Sequence, residues 1–198
     1  MSGILEKLTL ILLTTVFATA PIMGQKQEEK AKPRVDPVEG KKMFTSMREM
    51  ALKQTRKAIN LPAGKSDVEP FGVVMDMALG DGFATVVAFN DGSASIYLSS
   101  GGGWLGGIGH ENVRNAAKKT VSLSARFQPL AKSTKEFPLP KPEETVFYLL
   151  TDAGVFTEHA PSEKLGEGQH AWSPLFHAAQ DIIGQYRVID QKREDSRK

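Results

Sequence analysis

Apolar positions along the chain change their period several times, and each change marks an element. From Gly40, the residues Met43, Met47, Met50, Ala51 and Ala58 recur at three- and four-residue steps, with Lys41, Arg48, Glu49, Lys53 and Arg56 between them. That spacing predicts an amphipathic helix of about five turns. Its three methionines are expected to pack into the core, the alternative being an adaptable face for a partner. Asn60-Leu61-Pro62-Ala63-Gly64 stops the helix and Lys65 to Pro70 reads as loop. Val73, Met75, Met77 and Leu79 then alternate with Val74, Asp76 and Ala78, which predicts a strand with one greasy and one mixed face. Gly80-Asp81-Gly82 turns the chain into a second strand, Phe83 to Phe89, apolar on both faces and so central. Asn90-Asp91-Gly92 is a hairpin signal, because Asp and Gly tolerate the positive φ of tight turns. A third strand, Ser93 to Ser99, puts Ala94, Ile96 and Leu98 on one side.

The third strand empties into a glycine-dense loop, residues 101–109. Beyond it Val113, Ala116, Ala117, Thr120, Val121, Ser124 and Phe127 form a stripe at helical spacing, predicting a helix from Asn112 to Gln128 that Pro129 ends. A connector from Pro129 to Glu144 carries Pro138, Pro140 and Pro142 and reads as extended chain crossing the surface. Thr145 to Thr151 and Val155 to Ala160 are strands joined at Asp152-Ala153-Gly154. Pro161 to Gln169 reads as loop, with His170-Ala171-Trp172 as a short edge strand. Ser173 and Pro174 open a last helix as N-cap and first helical residue, with Leu175, Ala178, Ile182, Tyr186 and Ile189 on its buried side.

The order is helix, three strands, helix, two or three strands, helix. It predicts an α+β domain over residues 40–190, a five- or six-stranded antiparallel sheet with three flanking helices, and a frayed tail at 191–198. This order is similar to profilin and roadblock scaffolds over Gly40 to Ile189. It carries no motif of theirs, so no functional residue transfers. The string from Asp91 to Asn112, with Ser173-Pro174-Leu175-Phe176-His177, resembles bacterial proteins of no assigned function.

Composition narrows the setting. The 198 residues are 40% hydrophobic and 24% charged, and the net charge is +2. Mixed signs of that kind do not suit a nucleic-acid partner. With no cysteine, disulfides, thiolate nucleophiles and cysteine metal sites are excluded. Leu8 to Ala20 is an apolar and Thr run, about 20 Å long as a helix and short of a roughly 30 Å hydrocarbon core. It reads as a signal peptide over residues 1–24, followed by a charged linker over 25–39, which makes the protein exported, periplasmic or extracellular. The alternative is an uncleaved membrane anchor through residues 8–24, the one expected membrane contact.

Chemistry concentrates at the glycine loop. Gly101, Gly103 and Gly106 spell G-x-G-x-x-G, but an antiparallel meander precedes them, and Arg126 stands where a ribose-binding acid is wanted. Three readings remain. Free N–H groups at the following helix start, with Ser99, Ser100 and His110, suit a small anion or metabolite. Trp104, Leu105 and Ile108 either plug the core edge or point outward as an apolar flap for a protein partner, with a homodimer also open. A Ser100–His110–Asp152 set can be written down for a hydrolase, yet no G-x-S-x-G elbow or zinc-binding histidine motif accompanies it. The expected role is therefore a non-catalytic interaction or ligand-binding module, without cofactor, metal or catalytic residues. Its expected ligand-binding residues are Ser99, Ser100, Gly101, Gly102, Gly103, Trp104, Gly106, Gly107, Gly109 and His110. Asp76, inside an apolar strand, needs water or an arginine from a covering helix.

Overall fold

The computed structural model describes residues 36–197, so the segment read as a leader and most of the linker lie outside the described residues. One antiparallel sheet is built from β1 (Gly72–Leu79), β2 (Gly82–Phe89), β3 (Ala94–Leu98), β4 (Gly103–Trp104), β5 (Lys132–Thr134), β6 (Glu144–Thr151) and β7 (Gly154–Pro161). The strands lie in the order β4-β3-β2-β1-β6-β7-β5. The helices are α1 (Pro37–Leu52), α2 (Glu111–Ser124), α3 (Ser162–Gly166) and α4 (Ser173–Asp195). Among the described residues the fold is α+β, with seven strands where the pattern predicts five or six, and four helices in place of three. No helix among the described residues is long and apolar enough to cross a membrane.

The extra elements are short. β4 hides in the glycine loop and β5 in the proline-marked connector, at two and three residues each. Neither is long enough to show an alternating pattern. Both sit at sheet edges, where short strands leave little unpaired backbone. α3 is a single turn inside the stretch that reads as loop. His170-Ala171-Trp172 is a turn and not an edge strand: the Ser173 N–H donates to the His170 carbonyl at 3.0 Å, and the Trp172 N–H to His170 Nδ1 at 3.2 Å.

Register follows the predicted meander. β1 pairs β2 from Gly72 opposite Phe89 to Leu79 opposite Gly82, and its other side pairs β6. In the β2–β3 turn, Asp91 Oδ1 accepts from the Ser93 N–H at 2.8 Å and the Ser93 hydroxyl at 2.6 Å. Alternation then assigns side chains to two faces. Val73, Met75, Val86, Ile96, Phe147 and Leu149 form one core with α2 and α4, where Val113, Ala117, Leu175 and Ile182 are buried. Val74, Val87, Tyr97, Val146 and Tyr148 form the other, under Phe44, Ala51 and Leu52 of α1 and the loop residue Phe71.

α1 differs most from its prediction. It starts at Pro37, inside the expected linker, because Asp36 caps it: Oδ1 accepts from the Val38 N–H at 2.8 Å and the Glu39 N–H at 3.2 Å. It ends at Leu52, well short of Ala58. Its buried side is Gly40, Phe44, Arg48, Ala51 and Leu52. The methionine stripe is mostly off the core: Met43 is 42% exposed and Met50 57%, while Met47 alone packs against the core edge. α2 keeps its predicted buried stripe up to Ser124, where it ends four residues before Gln128, with Phe127 buried just beyond it; α4 keeps Leu175, Ala178, Ile182 and Tyr186, while Ile189 is half-buried. Ser173 lies in the first turn of α4 and Trp172 takes the N-cap. The helix runs on to Asp195, through most of the tail that reads as frayed.

Candidate functional site

The glycine loop is three structures in succession. Directly after β3 the chain reverses, with the Gly101 N–H donating to the Leu98 carbonyl at 3.0 Å and the Leu98 N–H to the Gly102 carbonyl at 3.2 Å. Ser99 is spent on the sheet, its hydroxyl accepting from the Phe83 N–H at 2.7 Å. Ser100 is exposed, on the wall of a shallow depression shared with Leu79, Asp81 and Phe83. β4 follows, with Gly103 opposite Tyr97 and Trp104 opposite Ile96. Gly103 has φ 143°, and a Cβ there would collide with the Ile96 carbonyl, so this close hairpin requires glycine. A 3₁₀ turn, Gly107–Gly109, then delivers His110.

The apolar residues of the loop divide. Trp104 turns inward: its indole N–H donates to Asp190 Oδ2 at 2.6 Å, and its ring lies 6.2 Å from that of Tyr186 on α4. Leu105 and Ile108 face out, 62% and 46% exposed. Gly107 is buried under the Tyr186 hydroxyl and Val113, with no room for a Cβ. The Tyr186 hydroxyl donates to the Ala94 carbonyl at 2.7 Å. Burial pushes this phenol up to about 12 against the pull of the Gly107 backbone. The loop is thus fastened at Trp104 and Gly107, while Gly102, Gly103, Leu105, Gly106, Ile108 and Gly109 are exposed.

His110 occupies the N-cap of α2 without a side-chain capping bond. The first-turn N–H groups of a helix have no intrahelical partners and carry the positive end of its dipole. α4 packs against α2, with the Thr120 hydroxyl donating to the Ala178 carbonyl at 3.0 Å. The last turns of α4 reach the first turn of α2. Between them lies an open groove of about 720 Å³, walled by Gly109, His110, Glu111 and Asn112 on one side and Ile189, Lys192, Arg193, Ser196 and Arg197 on the other. The groove lining holds Lys192, Arg193 and Arg197 and one carboxylate, Glu111, which already answers part of the dipole; Arg193 is also paired with Asp190 Oδ1, just outside the lining, at 4.0 Å. These cations are missing from the sequence-based site because they read as tail; the helical step onward from Tyr186 and Ile189 is the signal that includes them.

The hydrolase set is not assembled. Ser100 and His110 line different depressions. Asp152 is bound elsewhere, to Arg56 Nε at 2.7 Å. Asp76 is fully buried and takes the predicted arginine of a covering helix: Arg48 Nη2 lies 2.6 Å from its Oδ2, and the Thr85 hydroxyl donates to its Oδ1 at 2.5 Å. Burial raises this carboxyl above its ordinary value, opposed by Arg48 and Thr85. Among the described residues, no group of three or more His, Cys, Asp or Glu side chains is placed to hold a metal ion. No protein-family model, no curated protein and no solved structure matches the chain.

Proposed function

We propose that this is an exported, non-catalytic ligand-binding module that takes an anionic group, a phosphate or carboxylate, in the groove between the start of α2 and the end of α4. The observation that carries the reading is the juxtaposition itself: a helix N-terminus without a side-chain cap faces Lys192, Arg193 and Arg197 across an open groove. Backbone N–H groups and neighbouring cations of this kind favour negative charge without a dedicated catalytic group. Of the residues expected from sequence, Gly109 and His110 belong to this groove, while Ser99 and Gly103 serve the sheet.

The test is titration with inorganic phosphate and with citrate, followed by amide NMR. Shifts should concentrate at Glu111, Asn112 and Val113, weaken with added salt, and vanish in a Lys192→Glu/Arg193→Glu/Arg197→Glu variant. Flat titrations of the folded wild type with both anions would sink the proposal. A second reading is favoured by the exposure of Leu105 and Ile108. These residues suit a protein partner beside the groove, and Leu105→Asp with Ile108→Asp should then abolish capture of that partner without moving the anion titration.

A further inference from the structure

Two of the three methionines of α1, Met43 and Met50, lie outside the core and Met47 packs at its edge. Met43, Met47 and Met50 stand at i, i+4 and i+7. At about 100° per residue they fall within an arc of about 60°, and at 1.5 Å rise per residue they span about 10 Å. Met47 is held against the α1 core, next to Phe44, whose ring stacks 6.5 Å from that of Phe83. Met43 and Met50 flank it in solvent, one turn to either side. Three long, unbranched and adaptable thioether side chains therefore leave the helix within one narrow stripe.

Thioether sulfur is neutral, soft and polarisable. It is a poor ligand for calcium, magnesium or zinc and a good one for a soft monovalent cation, Cu(I) above all. A neutral ligand set also suits a single positive charge. The charges around the stripe permit it. Glu39 lies one turn before Met43 and is exposed. Lys53, one turn beyond Met50, is engaged by Glu49 at 3.2 Å. Lys42 projects from the helix about 100° away from Met43. The chain has no cysteine to compete for such an ion. We infer that Met43, Met47 and Met50 form a surface site for a soft monovalent metal ion of the Cu(I) class, on the opposite face of the sheet from the anion groove and independent of it.

Silver(I) is the probe, because it shares the ligand preference of Cu(I) without its oxidation. The full chain is titrated with silver nitrate in chloride-free buffer, by calorimetry and by NMR of ¹³C-labelled methionine methyls. One ion should bind, moving the methyls of Met43, Met47 and Met50 and leaving those of the buried Met75 and Met77 in place. Met43→Leu/Met47→Leu/Met50→Leu keeps volume and apolar surface, so fold and any protein-docking use of the stripe survive. Affinity for silver should fall by about tenfold or more, the scale on which even supporting groups of metal sites act. Absence of silver binding, unchanged affinity in the triple variant, or shifts confined to histidines would overturn the inference.

Discussion

The two faces of the sheet are held by different physics. Under α2 and α4 the core is almost wholly apolar, and its buried hydroxyls are satisfied locally: Thr120 donates to the Ala116 and Ala178 carbonyls, and Ser124 to that of Val121. Under α1 a guanidinium enters the core. Arg48 joins Asp76 on β1, Thr85 completes the carboxylate, and Arg48 Nη2 donates to the carbonyls of Phe137 and Pro138 at 3.0 and 3.2 Å. Tyr148 closes the set by donating to the Pro138 carbonyl at 2.6 Å. A second arginine works alongside: Arg56 pairs with Asp152, donates to the Glu69 carbonyl at 3.0 Å, and lies 5.2 Å over the Phe71 ring. The reason is coverage. Two helices, α2 of 14 residues and α4 of 23, cover the first face. The second has one 16-residue helix and irregular chain, whose carbonyls need partners once water is excluded. Arginine supplies several donors from one side chain.

The largest expected effect reaches both faces at once. One face buries Tyr186 and the other Tyr148 and Tyr97; burial raises Tyr186 and Tyr148 to about 12 from an ordinary 10 and raises Tyr97 as well. The folded state therefore holds these protons more tightly than the unfolded chain. Their contribution is complete below pH 10 and is lost as pH rises towards 12. The protein should unfold cooperatively in that window, with tyrosinate absorbance appearing together with loss of circular dichroism. Ionisation of all tyrosines near pH 10 in folded protein would contradict it.

Next comes the contrast itself. Arg48→Ala leaves Asp76 buried with Thr85 alone and should cost about 3–5 kcal/mol in denaturant unfolding. Arg48→Met/Asp76→Leu removes both charges and should recover most of that loss. If the single variant is mild, Arg48 is not what holds α1 down. On the apolar face, the Trp104 indole is a directed link to Asp190 near the end of α4. Trp104→Phe keeps the ring but drops the bond to a carboxylate, and should cost about 1.5–3 kcal/mol. Ile182→Val, fully buried among aliphatic side chains, should cost about 0.5–1.5 kcal/mol, a graded response to lost volume.

This contrast also explains which parts of the molecule can be read from sequence. β1 to β3, β6 and β7, and the buried stripe of α2, are long enough for period to override noise. α1 is misread because its core face contains an arginine and its solvent face contains methionines, so hydrophobicity points about 80° from the true inside. Asp76 inside an apolar strand already demands a partner, but its identity is a long-range fact, 28 residues away. β4, β5 and α3 are too short to carry a period. Of the candidate site, the helix start at His110 is legible locally, while its facing cations depend on how far α4 runs past α2.

The smallest expected effect marks the limit of the charge argument. Lys53 and Glu49 form an i,i+4 pair at 3.2 Å on the same helix as Arg48, yet both side chains are mostly in solvent. In high dielectric their attraction is weak and side-chain entropy opposes it, so Lys53→Ala should change stability by about 0.3–0.5 kcal/mol at most, and less in salt. The pair is the internal control for Arg48–Asp76: same helix and same charge types, different burial. A loss at Lys53 comparable to that at Arg48 would mean that charge, and not the water-excluded geometry beneath α1, secures this face. A large difference in the stated direction assigns the fastening to the buried network.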